Sequence, residues 1–103
     1  MMYYIAHEYG GNPANFERAK KVTHDLQAND PSNCYICPLM AFSYLEYNEL
    51  ANEQEIELCL DLLSVCDVLI VASDFINSKG VQKEIDFANS VGMDVIFLED
   101  ATE

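Results

Sequence analysis

The sequence has little positive charge: five lysine and arginine residues stand against eighteen aspartate and glutamate residues, a formal net charge of −13 at pH 7. Because binding a nucleic-acid backbone requires clustered cations, this balance argues against a nucleic-acid partner. The same deficit disfavours docking on an anionic membrane. A small anionic ligand stays compatible with the composition, since backbone N–H groups at a loop can hold a phosphate.

Long hydrophobic runs are also missing, because the longest uninterrupted apolar stretch covers only residues 68–72. A membrane-spanning helix needs about 20 apolar residues, and the first residues resemble no signal peptide. We therefore expect a cytoplasmic protein whose four cysteines are reduced, buried thiols. Cys34 and Cys37 form one Cys-x-x-Cys pair without a second pair, so we expect no metal and no cofactor.

Half of the 103 residues are apolar, which is enough for one modest core and predicts a single domain over residues 1–103. Apolar runs predict four strands, at residues 3–6, 34–37, 68–72 and 94–98. Helical spacing predicts a helix from Pro13 to about Ala28, another from Glu53, and a third that carries Val81 and ends at Gly92. Asn12 is suited to cap the first helix. Residues 39–51 indicate either a helical excursion or a structured loop.

Strands that alternate with helices predict a small α/β domain with a parallel sheet and helices on both faces. Ligands of such folds bind at the carboxyl ends of the strands. Two loops follow strands there: the first loop (residues 6–12) and the second loop (residues 73–80). We therefore expect a ligand site in these loops.

The first loop has paired glycines, which permit close approach of the backbone to a ligand and leave amide donors free. Its candidate ligand-binding residues are Ala6, His7, Tyr9, Gly10 and Gly11. The simpler interpretation is a turn between two elements.

The second loop leads into the last helix with the sequence Ser-Lys-Gly-Val. Its candidate ligand-binding residues are Ser78, Lys79, Gly80 and Val81. Glu84 follows about one turn into the helix, from where its carboxylate can point back toward the strand ends. The alternative is that Glu84 is a solvated residue favoured by the helix dipole.

Taken together, three stretches of the sequence resemble the nucleoside 2-deoxyribosyltransferase superfamily, closest to its short, uncharacterised phage and bacterial branch. They are Tyr4-Ile5-Ala6-His7 with Gly10-Gly11, then Cys66-Asp67-Val68-Leu69-Ile70-Val71, then Ser78-x-Gly80-x-x-x-Glu84-Ile85-x-x-Ala88 with Gly92. The resemblance implies a flavodoxin-like doubly wound fold and a homodimer or higher even homo-oligomer. It also implies a nucleoside or nucleotide ligand held by the two loops, with Glu84 as the nucleophile that attacks the N-glycosidic bond.

The sequence departs from the family pattern at two positions. Cys59 stands where the family has a second catalytic aspartate, and a thiol does not replace a carboxylate in proton transfer. Glu55 shares the helix face of Cys59 and is the only nearby carboxylate substitute, whereas Asp61 should face elsewhere. Glu8 of the first loop would repel a phosphate.

Three functions are compatible with these residues. The first is an enzyme that cleaves or transfers an N-glycosidic bond. The second is a non-catalytic nucleotide-binding protein that sequesters a nucleotide-derived immune signal, as a phage-encoded protein would. The third is a structural oligomer without a ligand. Tyr35, Tyr44 and Tyr47 are candidates for stacking on a base, and packing of these rings and of Phe42 in the core or between subunits is the alternative.

Overall fold

A computed structural model describes residues 1–98, which form four strands and four helices in alternation. The strands are β1 (Met2–Ala6), β2 (Cys34–Ile36), β3 (Val68–Val71) and β4 (Asp94–Phe97). The helices are α1 (Pro13–Asn29), α2 (Pro38–Ala41), α3 (Asn52–Ser64) and α4 (Lys79–Ser90). Each predicted strand and long helix is present within these residues.

The strands form one sheet in the order β2-β1-β3-β4, and every neighbouring pair is parallel. The chain first moves outward from β1 to β2 and then crosses back to β3 and β4. The direction of winding therefore reverses between β1 and β3, which is where doubly wound sheets open a crevice. The predicted flavodoxin-like α/β fold is confirmed.

The two central strands are buried on both faces, as is usual for a parallel sheet between helices. Tyr4 and Leu69 belong to the core that α3 and α4 cover. Ile5 and Ile70 face the opposite core, together with Ala19 of α1. Because side chains alternate along a strand, Tyr4 lies beneath the helices that follow β2 and β3.

Local sequence signals set the boundaries of the helices. The side chain of Asn12 accepts a hydrogen bond of 2.9 Å from the amide of Ala14, and Pro13 opens α1 as predicted. Gly92, with φ at +72°, follows α4. The segment at residues 39–51 contains only the end of α2, followed by turns, until α3 begins at Asn52.

One expectation about side chains is wrong. Cys34 is exposed, because it starts an edge strand, so the thiols are not all buried; Cys37 and Cys66 are buried. Tyr35 is half-buried, and its ring stacks on that of Tyr3 at a centroid distance of 4.7 Å.

Among residues 1–98, no His, Cys, Asp and Glu side chains form a group of three that could hold a metal ion. Across the same residues, the helices are all too short or too polar to cross a membrane.

Candidate functional site

A cleft of about 760 Å³ opens at the carboxyl edge of the sheet. This volume lies within the range of about 300–1,000 Å³ that is usual for small-molecule sites. Its walls are the two loops on one side and the segment from α2 into α3 on the other. The cleft therefore lies at the reversal point between β1 and β3, where topology alone places a ligand in such a fold.

Most of the residues singled out in the sequence line this cleft. They are His7, Tyr9, Gly10, Ser78, Lys79, Gly80, Val81 and Glu84. Ala6 and Gly11 do not. Ala6 is fully buried in the core, and its carbonyl accepts a hydrogen bond of 2.9 Å from the amide of Ala72.

Gly11 shapes the cleft indirectly. Its φ is +73°, and a Cβ atom at this position would lie 2.8 Å from the ring of Tyr47. Tyr47 lines the cleft and meets the ring of Tyr9 edge to face, at a centroid distance of 5.6 Å. A glycine at position 11 is therefore what allows these two aromatic rings to form one wall.

The first loop is held in place by hydrogen bonds from both sides. The amide of Glu8 donates to the hydroxyl of Ser73, at 2.8 Å, which ties this loop to the start of the second. The side-chain amide of Asn15 donates to the carbonyl of Tyr9, at 3.0 Å. Nδ1 of His7 lies 2.7 Å from the carbonyl of Glu8, and since a carbonyl only accepts, Nδ1 carries the proton.

The second loop ends in the N-terminus of α4. The Ser78 hydroxyl caps this helix by accepting from the amide of Val81, at 3.3 Å. The first amides of a helix lack intrahelical acceptors, so those of Lys79 and Gly80 have none within α4. Gly80 has no atom within 4 Å of the position where a Cβ would stand. This side of the cleft thus offers backbone donors that a ligand can approach closely.

Glu84 is the one buried carboxylate among the described residues, with 6% of its surface exposed. The hydroxyl of Tyr4, which is fully buried, donates a hydrogen bond to Oε2 of Glu84. The interpretation of Glu84 as a solvated residue is therefore wrong. Its side chain reaches from α4 across to the central strand β1 and forms part of the cleft wall.

Burial controls the protonation of this pair. Burial raises the pKa of Glu84 from 4.5 to about 7, and the hydrogen bond from Tyr4 acts in the opposite direction. Burial and the nearby carboxylate raise the pKa of Tyr4 well above its ordinary value of 10. Tyr4 therefore stays protonated, and its hydroxyl donates a hydrogen bond to the carboxylate.

Helix α3 brings two further groups to the cleft, Glu55 and Cys59. Burial, followed by the charge of Glu84, raises the pKa of Cys59 to about 12, so the thiol stays neutral near pH 7. Glu55 is half-buried in the same wall, whereas Asp61 is exposed and lies outside the cleft lining. Both positions agree with the helical spacing, which places Glu55 on the same face of α3 as Cys59 and Asp61 on a different face.

The sequence alone does not indicate that Tyr4 donates to Glu84; it places Tyr4 in an apolar strand and in the first stretch of the family resemblance. A signal was present, because a tyrosine buried in a central strand needs a hydrogen-bond partner for its hydroxyl. The sequence also gives no indication of Asn15, and it indicates Tyr47 only as an aromatic residue for base stacking or packing. Asn15 contacts the first loop from the first turn of α1, whereas Tyr47 contacts it across the fold, and no local spacing indicates either contact.

Comparisons with known proteins agree with this architecture. The model of a family described as "Domain of unknown function (DUF4406)" matches residues 1–97. The structure of a 2-desoxiribosyltransferase from Leishmania mexicana superimposes with a TM-score of 0.66 at 17% sequence identity. The match covers 94% of this chain and 63% of that one, so the present chain spans less than two thirds of its length. The similarity shows a deoxyribosyltransferase-like fold. No curated protein sequence matches the chain.

Proposed function

The chain belongs to the DUF4406 family, and we propose that it binds a nucleoside or nucleotide in the cleft and cleaves or transfers the N-glycosidic bond through Glu84. The observation that carries this proposal is the buried carboxylate of Glu84 in the cleft wall, held by Tyr4. The fold, which is similar to that of a 2-desoxiribosyltransferase, supports it. Perturbed carboxylates in clefts are typical of functional sites.

The proposed chemistry uses the free oxygen of Glu84. Tyr4 donates to Oε2, which leaves Oε1 to attack the anomeric carbon of the sugar. The new C–O bond forms as the C–N bond breaks, and the electron pair of the C–N bond leaves with the base. The product is a covalent glycosyl ester. Water or a second base then attacks the anomeric carbon, the ester C–O bond breaks with its electron pair returning to the carboxylate, and the attacking group gives its proton back to the residue that protonated the first base. The product is the free sugar or a new nucleoside.

The loops supply the proposed ligand contacts. The amides of Lys79 and Gly80, with the hydroxyl of Ser78 and the side chain of Val81, face the sugar end of the ligand. His7, whose Nδ1 is protonated, offers Nε2 as an acceptor for a sugar hydroxyl. The remaining contacts come from the first loop: Tyr9 stacks on the base, Gly10 allows close approach, and Ala6 and Gly11 fix the loop at its two ends.

Proton transfer to the departing base needs a second group. Cys59 stands where the nucleoside 2-deoxyribosyltransferase superfamily, which the sequence resembles, has an aspartate. The neutral thiol of Cys59 does not fill this role. Glu55 shares the cleft wall with Cys59. We therefore assign the proton transfer to Glu55.

The decisive experiment compares Glu84→Gln with wild type. The protein is mixed with 2′-deoxynucleosides and a free base, and new nucleosides or released bases are separated by chromatography. Glutamine keeps the shape but cannot form the ester, so turnover should fall by at least about 10³. Asp86→Asn, an exposed change on the same helix outside the cleft, is the matched control and should leave turnover unchanged. Robust wild-type turnover that survives Glu84→Gln would remove Glu84 as the nucleophile.

The neutral thiol at Cys59 favours one second candidate function. Without the second carboxylate that the nucleoside 2-deoxyribosyltransferase superfamily has at this position, the same cleft would serve a non-catalytic protein. Such a protein would sequester a nucleotide-derived immune signal, in the manner of a phage-encoded inhibitor. A thermal-shift screen with nucleotides tests this, because a ligand that binds only the folded state raises the melting temperature. Stabilisation by a nucleotide in the absence of any turnover would favour this candidate over the enzyme.

The proposed assembly is a homodimer or a higher even homo-oligomer of one domain covering residues 1–103. Tyr44 and Tyr47 have 73% and 51% of their surface exposed, and Phe42 packs edge to face on Tyr44. Covering these aromatic side chains with a second copy would remove apolar surface from water. A concentration-independent mass of one chain, near 11.6 kDa by light scattering, would contradict this assembly.

A further inference from the structure

Most of the charged side chains that line the cleft are negative. Its lining carboxylates are Glu8, Glu17, Glu46, Glu55 and Glu84. All five lysine and arginine residues of the chain lie within the described residues, and among them only Lys79 lines the cleft. A phosphate carries a charge of about −1.5 to −2 at pH 7. The lining therefore repels such a group at most approaches to the site.

Two backbone amides of the first loop already have acceptors within the protein. The amide of Glu8 donates to Ser73, and the amide of Asn12 donates to the carbonyl of Tyr9, at 3.1 Å. A phosphate cradle needs several amides that converge on one point without internal acceptors. Here an amide at the centre of the loop is occupied, and the residue that carries it adds a negative side chain.

We infer that the cleft selects a nucleoside without a 5′-phosphate, and that Glu8 is the residue that rejects the phosphorylated form. This inference rests on the proposed function and narrows its substrate class. Glu8 is half-buried, follows β1 directly, and is held to the second loop through its backbone. Its carboxylate is therefore restricted to the first-loop side of the cleft, whereas the more exposed Glu17 and Glu46 contribute less.

The test measures dissociation constants for the four 2′-deoxynucleosides and their 5′-monophosphates, by calorimetry at low salt. Wild type should bind at least one nucleoside, and each nucleoside that binds should do so at least about tenfold more tightly than its monophosphate. Glu8→Gln should strengthen monophosphate binding by at least about fivefold and leave nucleoside binding unchanged. Glu53→Gln, an exposed change in α3 outside this cleft, should alter neither constant.

Salt separates electrostatic rejection from a steric one. Raising the salt concentration from about 0.01 to 0.5 M screens exposed charges, so the preference of wild type for the nucleoside should shrink. A preference that ignores salt and survives Glu8→Gln would overturn the role of Glu8.

The two proposals fail in different ways. A wild-type protein that binds the monophosphate as tightly as the nucleoside, or more tightly, refutes the selectivity and leaves the proposed function standing. Failure to bind any of the eight compounds refutes the proposed function and the inference with it.

Discussion

Replacing Glu84 with glutamine should change the way in which stability depends on pH, whether or not the protein is an enzyme. The side chain is buried, with 6% of its surface exposed, and its only hydrogen bond from a described side chain comes from Tyr4. Burial of a carboxylate penalises its charged form much more than its neutral form. The substitution removes the titration and keeps the volume and an acceptor for the hydroxyl of Tyr4.

The sign and size follow from the pKa of Glu84, which burial raises from 4.5 to about 7. Between these values the folded chain keeps a proton that the unfolded chain has lost, so the free energy of unfolding falls as pH rises and levels off above about 7. Each pKa unit corresponds to ~1.4 kcal/mol, and the total loss from Glu84 is therefore about 3 kcal/mol. Glutamine does not titrate, so the free energy of unfolding of the variant lacks this dependence on pH.

Urea unfolding followed by circular dichroism, at constant ionic strength from pH 4 to 8.5, measures the effect. Subtracting the variant from wild type cancels the contributions of the other carboxylates. The free energy of unfolding of wild type relative to Glu84→Gln should fall by about 3 kcal/mol across this range. The same difference for Asp86→Asn, exposed on the same helix, should stay within about 0.5 kcal/mol. A flat difference for Glu84→Gln would show that Glu84 titrates as a hydrated carboxylate, and the reasoning would be wrong.

Three further changes have defined outcomes. Tyr4→Phe removes the hydrogen bond that lowers the pKa of Glu84, so the acidic limb of the pH–rate profile should move up by about one pH unit; an unmoved limb would contradict this. Gly80→Val should abolish ligand binding in calorimetry and leave the circular dichroism spectrum intact, since a Cβ at this position meets no atom within 4 Å; unchanged affinity would refute the placement of the ligand. Iodoacetamide should label exposed Cys34 in the native protein and buried Cys37, whose pKa burial raises to about 11, only after unfolding; mass spectrometry of the labelled peptides decides, and equal rates would contradict the burial.

The strands and long helices were predictable because their signals are local. All four residues of β3 are buried, and a continuous apolar run of this kind can be recognised as a buried strand from the sequence alone. Asn12 and Pro13 mark the start of α1 in the same way. Between Pro38 and Asn52 the chain is instead ordered by contacts made across the fold, such as the ring of Tyr47 against Gly11, and no local period records them.

The site was predictable only to the level of its loops. The rule that ligands bind beyond the carboxyl ends of parallel strands identifies both loops without any knowledge of side chains. The pairing of Tyr4 with Glu84 joins residues 80 positions apart and depends on the register between strand and helix. The burial of Glu84 depends on the same packing, because a glutamate in the first turns of a helix is more often solvated.

The burial of Glu84 bears on function through its energetic cost. Proteins of this size are stable by about 5–15 kcal/mol, so a loss of about 3 kcal/mol at neutral pH is a large fraction of the total. The preceding position in α4, residue 83, is exposed, so a carboxylate at that position would be hydrated and would not carry this cost. An element that only had to pack against β1 would be more stable with an apolar residue at position 84. A carboxylate that is kept from water, oriented by the hydroxyl of Tyr4 and open to a cleft is instead arranged for attack on a bound molecule, because desolvation strengthens a nucleophile that water would otherwise surround.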